Sequence, residues 1–180
     1  MNLLNMLITN YKFCHIPKTA GHSLLDLLLP NTNLSHNICD KKKIPEFLFA
    51  FTRNPYNRFL SAFYFLQNGG INDRDKQEYT QFIGDYSISE FIFSDRLIYA
   101  IQNQQHFKPQ HVWIPNGADF VGKVESIQQD IDKLSKIILL TSTNIPKKNI
   151  TKYDYILTNK EKDIIYEMYS EDFLRFGYNR

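Results

Sequence analysis

Long apolar runs are missing from this sequence. No stretch approaches the ~20 consecutive apolar residues that a membrane-spanning helix needs, so no membrane partner is expected. The opening MNLLNMLITNYKF lacks the charged start and extended apolar segment of a secretory leader, which makes the cytoplasm the expected compartment. An excess of one charge is also absent. Twenty-one Lys and Arg against 19 Asp and Glu leave a net charge of +2, too little to point to nucleic acid, although it permits a local basic pocket for a small anion. Cysteine is scarce too. Cys14 and Cys39 lie in or beside apolar segments and match no metal-ligand spacing, so they read as reduced, buried thiols and no metal site is predicted.

What is present is a packed globule. The 180 residues are 43% hydrophobic and 14% aromatic, which argues against disorder and for one domain spanning 1–180. A domain of that size buries roughly 70% of the surface of its unfolded chain, so it needs no staple. No internal repeat or dividing linker is visible.

Apolar patterning predicts the elements. Tyr11–Ile16 reads as a strand stopped by Pro17, and Ser23–Leu29 as a helix whose first turn begins near Gly21. Residues 30–46 form a polar connection with Asn31, Asn33 and Lys41–Lys43. FLFAFT, residues 47–52, has the continuous apolar character of a strand buried on both faces. Pro55 opens a helix through Leu66. Residues 71–81 are charged and expected to be mobile, and 88–104 reads as one helix. A strand is expected over 118–124, a helix from Glu125 to about Leu134, a further strand over 136–141 and a last amphipathic helix over 159–174. Strands alternating with helices imply a three-layer α/β/α domain with a mostly parallel central sheet. Ligands in such sheets bind beyond the carboxyl ends of the strands, where the loops after Ile16 and Thr52 fall.

Those two loops carry the chemistry. Lys18-Thr19-Ala20-Gly21-His22-Ser23, between strand and helix, offers backbone N–H groups, a full positive charge at Lys18 and hydroxyls at Thr19 and Ser23. Small residues at Ala20 and Gly21 allow a phosphate close to the backbone. The spacing is not that of a Walker A loop, which counts against a kinase. The second loop begins with Arg53 at the end of the central strand, where a guanidinium needs an anionic partner. Ser61 follows eight residues later (61 − 53), on the next helix. Together they suit one phosphate, the guanidinium forking two oxygens and the hydroxyl adding a bond. Arg58 reads as a surface ion-pair partner.

The stretch His15-Ile16-Pro17-Lys18-Thr19-Ala20-Gly21-His22-Ser23-Leu24 resembles the 5′-phosphosulfate-binding loop of sulfotransferases that use 3′-phosphoadenosine-5′-phosphosulfate (PAPS), in particular the carbohydrate branch with the glycosaminoglycan O-sulfotransferases. Residues 51–64, FTRNPYNRFLSAFY, resemble the 3′-phosphate-binding segment of the same family. Residues 106–110, 120–125 and 169–178 follow family patterns as well, so the likeness runs from about residue 11 to the C-terminus. It implies a nucleotide-kinase-like sulfotransferase fold and in-line sulfuryl transfer from PAPS to an acceptor hydroxyl, leaving PAP. The acceptor would be a small molecule or a carbohydrate, and no metal is required. By the resemblance, Lys18 meets the 5′-phosphosulfate and its bridging oxygen. Thr19, Ala20, Gly21, His22 and Ser23 cradle the 5′-phosphate, and Arg53 and Ser61 hold the 3′-phosphate. Two departures stand out: His22 where the branch has threonine or serine, and Asn54 where it commonly has aspartate.

Transfer to a hydroxyl needs a base, and histidine is the usual one near neutral pH. His36 precedes Arg53 by 17 residues (53 − 36), as the catalytic histidine does in related enzymes, and is the first candidate. His106 is the second; His22 belongs to the loop, His15 reads as a packing residue and His111 as a solvated one. Tyr64, Phe107 and Trp113 are candidates for an acceptor cleft, although core packing is the ordinary fate of such side chains. A kinase of similar fold, or a PAP-binding module without turnover, are the alternatives.

Overall fold

The structure is a computed structural model that describes residues 7–28, 36–146 and 154–180. Leu29 and Pro30, expected to close the first helix, and Asn31 and Asn33 of the connection lie outside the described residues. The chain groups into two compact units, Met1–Arg53 with Gln110–Ile150 and Asn54–Pro109 with Thr151–Arg180. Among the described residues no helix is long and apolar enough to cross a membrane.

The first unit is α/β. Strands β1 (Tyr11–Cys14), β2 (Phe47–Thr52) and β3 (Phe120–Lys123) form a parallel sheet in the order β1-β2-β3, with Tyr11 opposite Phe47 and Phe49 opposite Phe120. Central β2 is buried from Leu48 to Thr52, as its uninterrupted apolar run predicts. At its start Asp119 acts as a clasp: its N–H donates to the Leu48 carbonyl and its carboxylate accepts the Leu48 N–H, both at 2.8 Å. Gly122 sits opposite Phe51, whose ring would be 2.4 Å from any Cβ there, so the sheet admits no side chain at that point. Helices α1 (Gly21–Leu25) and, numbered in chain order, α6 (Ile127–Leu134) contribute Leu24, Ile131 and Leu134 to a core with Phe13, Phe49 and Phe51. The strand expected over 136–141 reduces to a parallel bridge between Ile8 and Ile138.

The second unit is helical. It comprises α2 (Pro55–Gln67), α3 (Asp73–Glu78), α4 (Ile88–Ile92), α5 (Asp95–Asn103), α7 (Asn159–Met168) and α8 (Ser170–Phe176) around a core that includes Phe59, Phe63, Leu66, Phe91, Phe107 and Phe173. Pro55 occupies the first turn of α2, and the Asn54 side-chain oxygen accepts from the N–H groups of Tyr56 (3.0 Å) and Asn57 (3.4 Å). An aspartate would cap equally well, so the departure at Asn54 preserves the helix start. The expectation of a mobile segment over 71–81 is corrected: Asn72 caps α3 through the Asp75 N–H, and a single π turn, Tyr79–Ile83, follows. The helices expected over 88–104 and 159–174 are each divided, at Ser94 and at Tyr169.

Candidate functional site

The loop after β1 is held in an uncommon shape. Lys18 and Ala20 both take left-handed backbone angles, φ 69° and 62°, which cost a residue with a Cβ of order 1–3 kcal/mol each and cluster where a loop must present its backbone to a ligand. Alternation of this kind turns successive N–H groups toward one concavity, the arrangement that receives anions in phosphate loops. Thr19 is fully buried, and its hydroxyl donates to the Ile16 carbonyl at 2.8 Å. That proton is spent on shaping the loop. Ser23 is buried on the first turn of α1, while His22 is exposed.

Gly21 is a glycine for a steric reason. Any Cβ there would lie 2.0 Å from Nε2 of His15 and 2.1 Å from its Cδ2. His15 is 4% exposed, and its ring lies between Phe13 (centroids 5.9 Å apart), His22 (6.3 Å) and His36 (4.4 Å). Burial, followed by the neighbouring His36, His22 and Lys18, pushes its pKa down to about 3, so His15 is neutral at physiological pH.

The structure therefore brings His36 beside the Lys18 loop's support. His36 is half-buried, with the Trp113 ring at 6.3 Å. The segment that carries it is strapped down by sulfur and backbone bonds. The Cys39 N–H donates to the Trp113 carbonyl at 2.7 Å, and the Cys14 thiol reaches that same carbonyl at 3.4 Å. Both cysteines are free and buried; contact with Cys39 and burial push the Cys14 thiol far above the usual thiol range.

Arg53 follows β2 at the edge of the first unit. Fully buried Gln110 grips its backbone twice, accepting the Arg53 N–H at 2.9 Å and donating to the Arg53 carbonyl at 2.8 Å. Ser61 belongs to the second unit, buried on α2. Arg58 corrects the expectation of a surface residue: it is 2% exposed, and its charge, like that of buried Asp172, is felt at the Tyr169 hydroxyl. His106 is buried in the second unit, its Nδ1 accepting from the Gln104 amide at 2.8 Å and its ring packing edge-on against Phe65. That same amide donates to Glu78 at 2.7 Å, which ties His106 into the helical core. His111 is half-buried in a single 3-10 turn, Gln110–Trp113. Of the proposed cleft aromatics, Phe107 and Trp113 are buried and Tyr64 is half-buried. The second unit also holds a cleft of about 450 Å³ lined by Arg74, Glu78, Gln81, Tyr99 and Asn103, among others. The sequence singles out none of these.

Sequence reasoning missed Gln110, while His15 is buried as a packing residue, as expected, and lies against Gly21. Nothing in the sequence distinguishes Gln110 from its polar neighbours Lys108 and His111, and the contact of His15 with Gly21, six residues on (21 − 15), is made by folding the strand end over the loop. Among the described residues no group of three or more His, Cys, Asp or Glu is placed to hold a metal ion. The family model described as Sulfotransferase family matches residues 9–179, a span that runs through both units. Nothing among the curated proteins or the solved structures matches the chain.

Proposed function

The chain belongs to the sulfotransferase family, whose members transfer sulfuryl groups, and from that premise we propose that its donor is PAPS and its acceptor a carbohydrate hydroxyl. The observation that supports this most is the gathering, in one unit, of the left-handed Lys18–Ala20 loop and the His36 ring, with His15 touching on both. The donor set fits a phosphosulfate: a loop with left-handed backbone at Lys18 and Ala20, one lysine and no carboxylate within the loop sequence.

When bound, PAPS supplies the sulfuryl group, and PAP is the product left behind. Lys18 places an ammonium at the 5′-phosphosulfate and offsets the negative charge that grows on the phosphate side as the S–O bond breaks. The backbone of Thr19, Ala20, Gly21 and His22, with Ser23, holds the 5′-phosphate. Arg53 contacts the 3′-phosphate, and the motif resemblance assigns Ser61 to it as well. His36 takes the proton of the acceptor hydroxyl as its oxygen bonds to sulfur. Carbohydrate as the acceptor class rests on the resemblance to that branch.

The test uses two nucleotides. PAP is expected to raise the melting temperature well above the shift given by adenosine 5′-phosphate, because the missing 3′-phosphate deprives Arg53 of a charge-assisted bond worth ~1.5–3 kcal/mol. Labelled PAPS incubated with a panel of sugars should then give a labelled product. Equal stabilisation by both nucleotides would overturn the role of Arg53, and no transfer to any sugar while a phenol is sulfated would overturn the acceptor class.

A further inference from the structure

His15 has no part in the chemistry above, yet it occupies the point where two parts of the site meet. Its Nε2 edge lies where a side chain on residue 21 would start, 2.0 Å from that Cβ position, and its ring is 4.4 Å from that of His36 at a 37° tilt. It is 4% exposed, and among the described residues its buried Nδ1 has no hydrogen-bond partner. A ring serving only as filler could be apolar, whereas this one keeps a polar nitrogen in the interior.

We propose that His15 is a positioning residue that couples the backbone of the Lys18–Ser23 loop to the ring of His36. The inference rests on the reading of that loop and of His36 given above. Close-packed interiors transmit displacement because they leave no slack. A loop that moves at Gly21 on taking an anion pushes a rigid ring whose other neighbour is His36. The groups facing His15 are Phe13, His22, His36 and Lys18, and the last three are basic. A neutral imidazole in that company leaves His36 able to accept a proton, while a cationic one at 4.4 Å would oppose it.

The test is a double-mutant cycle read by the ring proton resonances of His36, by PAP affinity and by the pH profile of kcat. Gly21→Ala forces the His15 ring aside and is expected to move the His36 resonance without any nucleotide, and to weaken PAP by about tenfold. His15→Ala should lower kcat by about tenfold and shift the acid limb of its pH profile, with PAP affinity changed less than about threefold. In the double variant the added methyl finds room, so PAP affinity returns to the His15→Ala level while kcat stays low. Additive effects, with the His36 resonance unmoved by Gly21→Ala, would overturn the coupling. If Gly21→Ala does not fold, His15→Ala and His15→Phe decide alone: an unmoved His36 resonance and an unchanged pH profile in both overturn it. A wild-type protein that neither binds PAP nor turns over would refute the proposed function instead, and the His36 resonance would still decide the coupling.

Discussion

Lys18 and His36 are assigned opposite kinds of work, and the difference is measurable. In the proposed mechanism Lys18 acts on charge that exists mainly in the transition state, so Lys18→Ala should reduce kcat far more than it weakens PAP. As the proposed base, His36 would touch only the acceptor proton, and His36→Ala should lower kcat by roughly 10²–10⁴-fold with PAP affinity nearly unchanged. Isothermal titration with PAP, set beside turnover at saturating donor, separates the two effects. Parallel losses of affinity and rate in Lys18→Ala would make it a binding residue only, and near-normal turnover in His36→Ala would remove it as base. The histidines also show where reading the sequence stopped. His36 was put forward from its spacing to Arg53 as in related enzymes, and the structure sets its ring 4.4 Å from that of His15. The burial of His106 was not legible in the sequence, since the Gln104 amide that bonds it is itself held by Glu78, 26 residues away.

At the scale of elements, β2 and the start of α2 could be read directly. FLFAFT has no polar break, and Asn54-Pro55 is a cap followed by a first-turn proline. The divisions of the later helices were hidden. The apolar pattern runs unbroken through Tyr169, and what interrupts the helix is tertiary: the buried Tyr169 hydroxyl donates at 2.6 Å to the Phe107 carbonyl, 62 residues away. Residues 71–81 misled by composition, since their charges serve one another along α3, with Arg74 bonded to Glu78 and Lys76 to Asp73. The Gln110 grip on Arg53 was equally invisible, spanning 57 residues, and it fixes where β2 ends. Gln110→Ala leaves an N–H and a carbonyl without their partner, so a loss of about 2–3 kcal/mol is expected by urea denaturation. PAP affinity should fall with it as Arg53 loses its fixed backbone. Gln110→Glu keeps the acceptor but sets a carboxylate oxygen against the Arg53 carbonyl at a fully buried position, so it should lose at least as much. Unchanged stability in Gln110→Ala would mean that solvent replaces both bonds.

For the molecule as a whole, acid should act first through His15. Its pKa falls from an ordinary 6.5 to about 3 on folding, because burial and its basic neighbours oppose the cation. The unfolded chain therefore binds the proton that the folded one refuses. The contribution is intact above pH 6.5 and is lost as pH falls toward 3, by at most about 1.4 kcal/mol per pH unit. Asp130 and Glu161 are buried carboxyls held below their ordinary values of 3.8 and 4.5. In each, burial pushes upward, but hydrogen bonds outweigh it, led by Lys133 for the first and Tyr155 for the second. Their loss begins only below those values, so the interval from pH 7 to 5 lies clear of both carboxyls, and the difference between wild type and a His15 variant across it isolates His15. Melting temperature should drop across that interval in the wild type and drop less in His15→Leu; the same slope in both would show that His15 is not responsible.

The order of segments along the chain has a practical result. Each unit is assembled from two stretches, and the stretches alternate, so the polypeptide passes between units after Arg53, after Pro109 and after Ile150. No single uninterrupted fragment reproduces either one. Residues 54–109 alone carry α2 through α5 but leave behind Leu157, Ile165, Tyr169 and Phe173 of their own core, and residues 1–53 alone carry two strands of three. Trimming toward a minimal catalyst is thus closed to simple deletion from either terminus. A shorter working version would have to splice residue 53 to residue 110, across the very backbone that Gln110 holds.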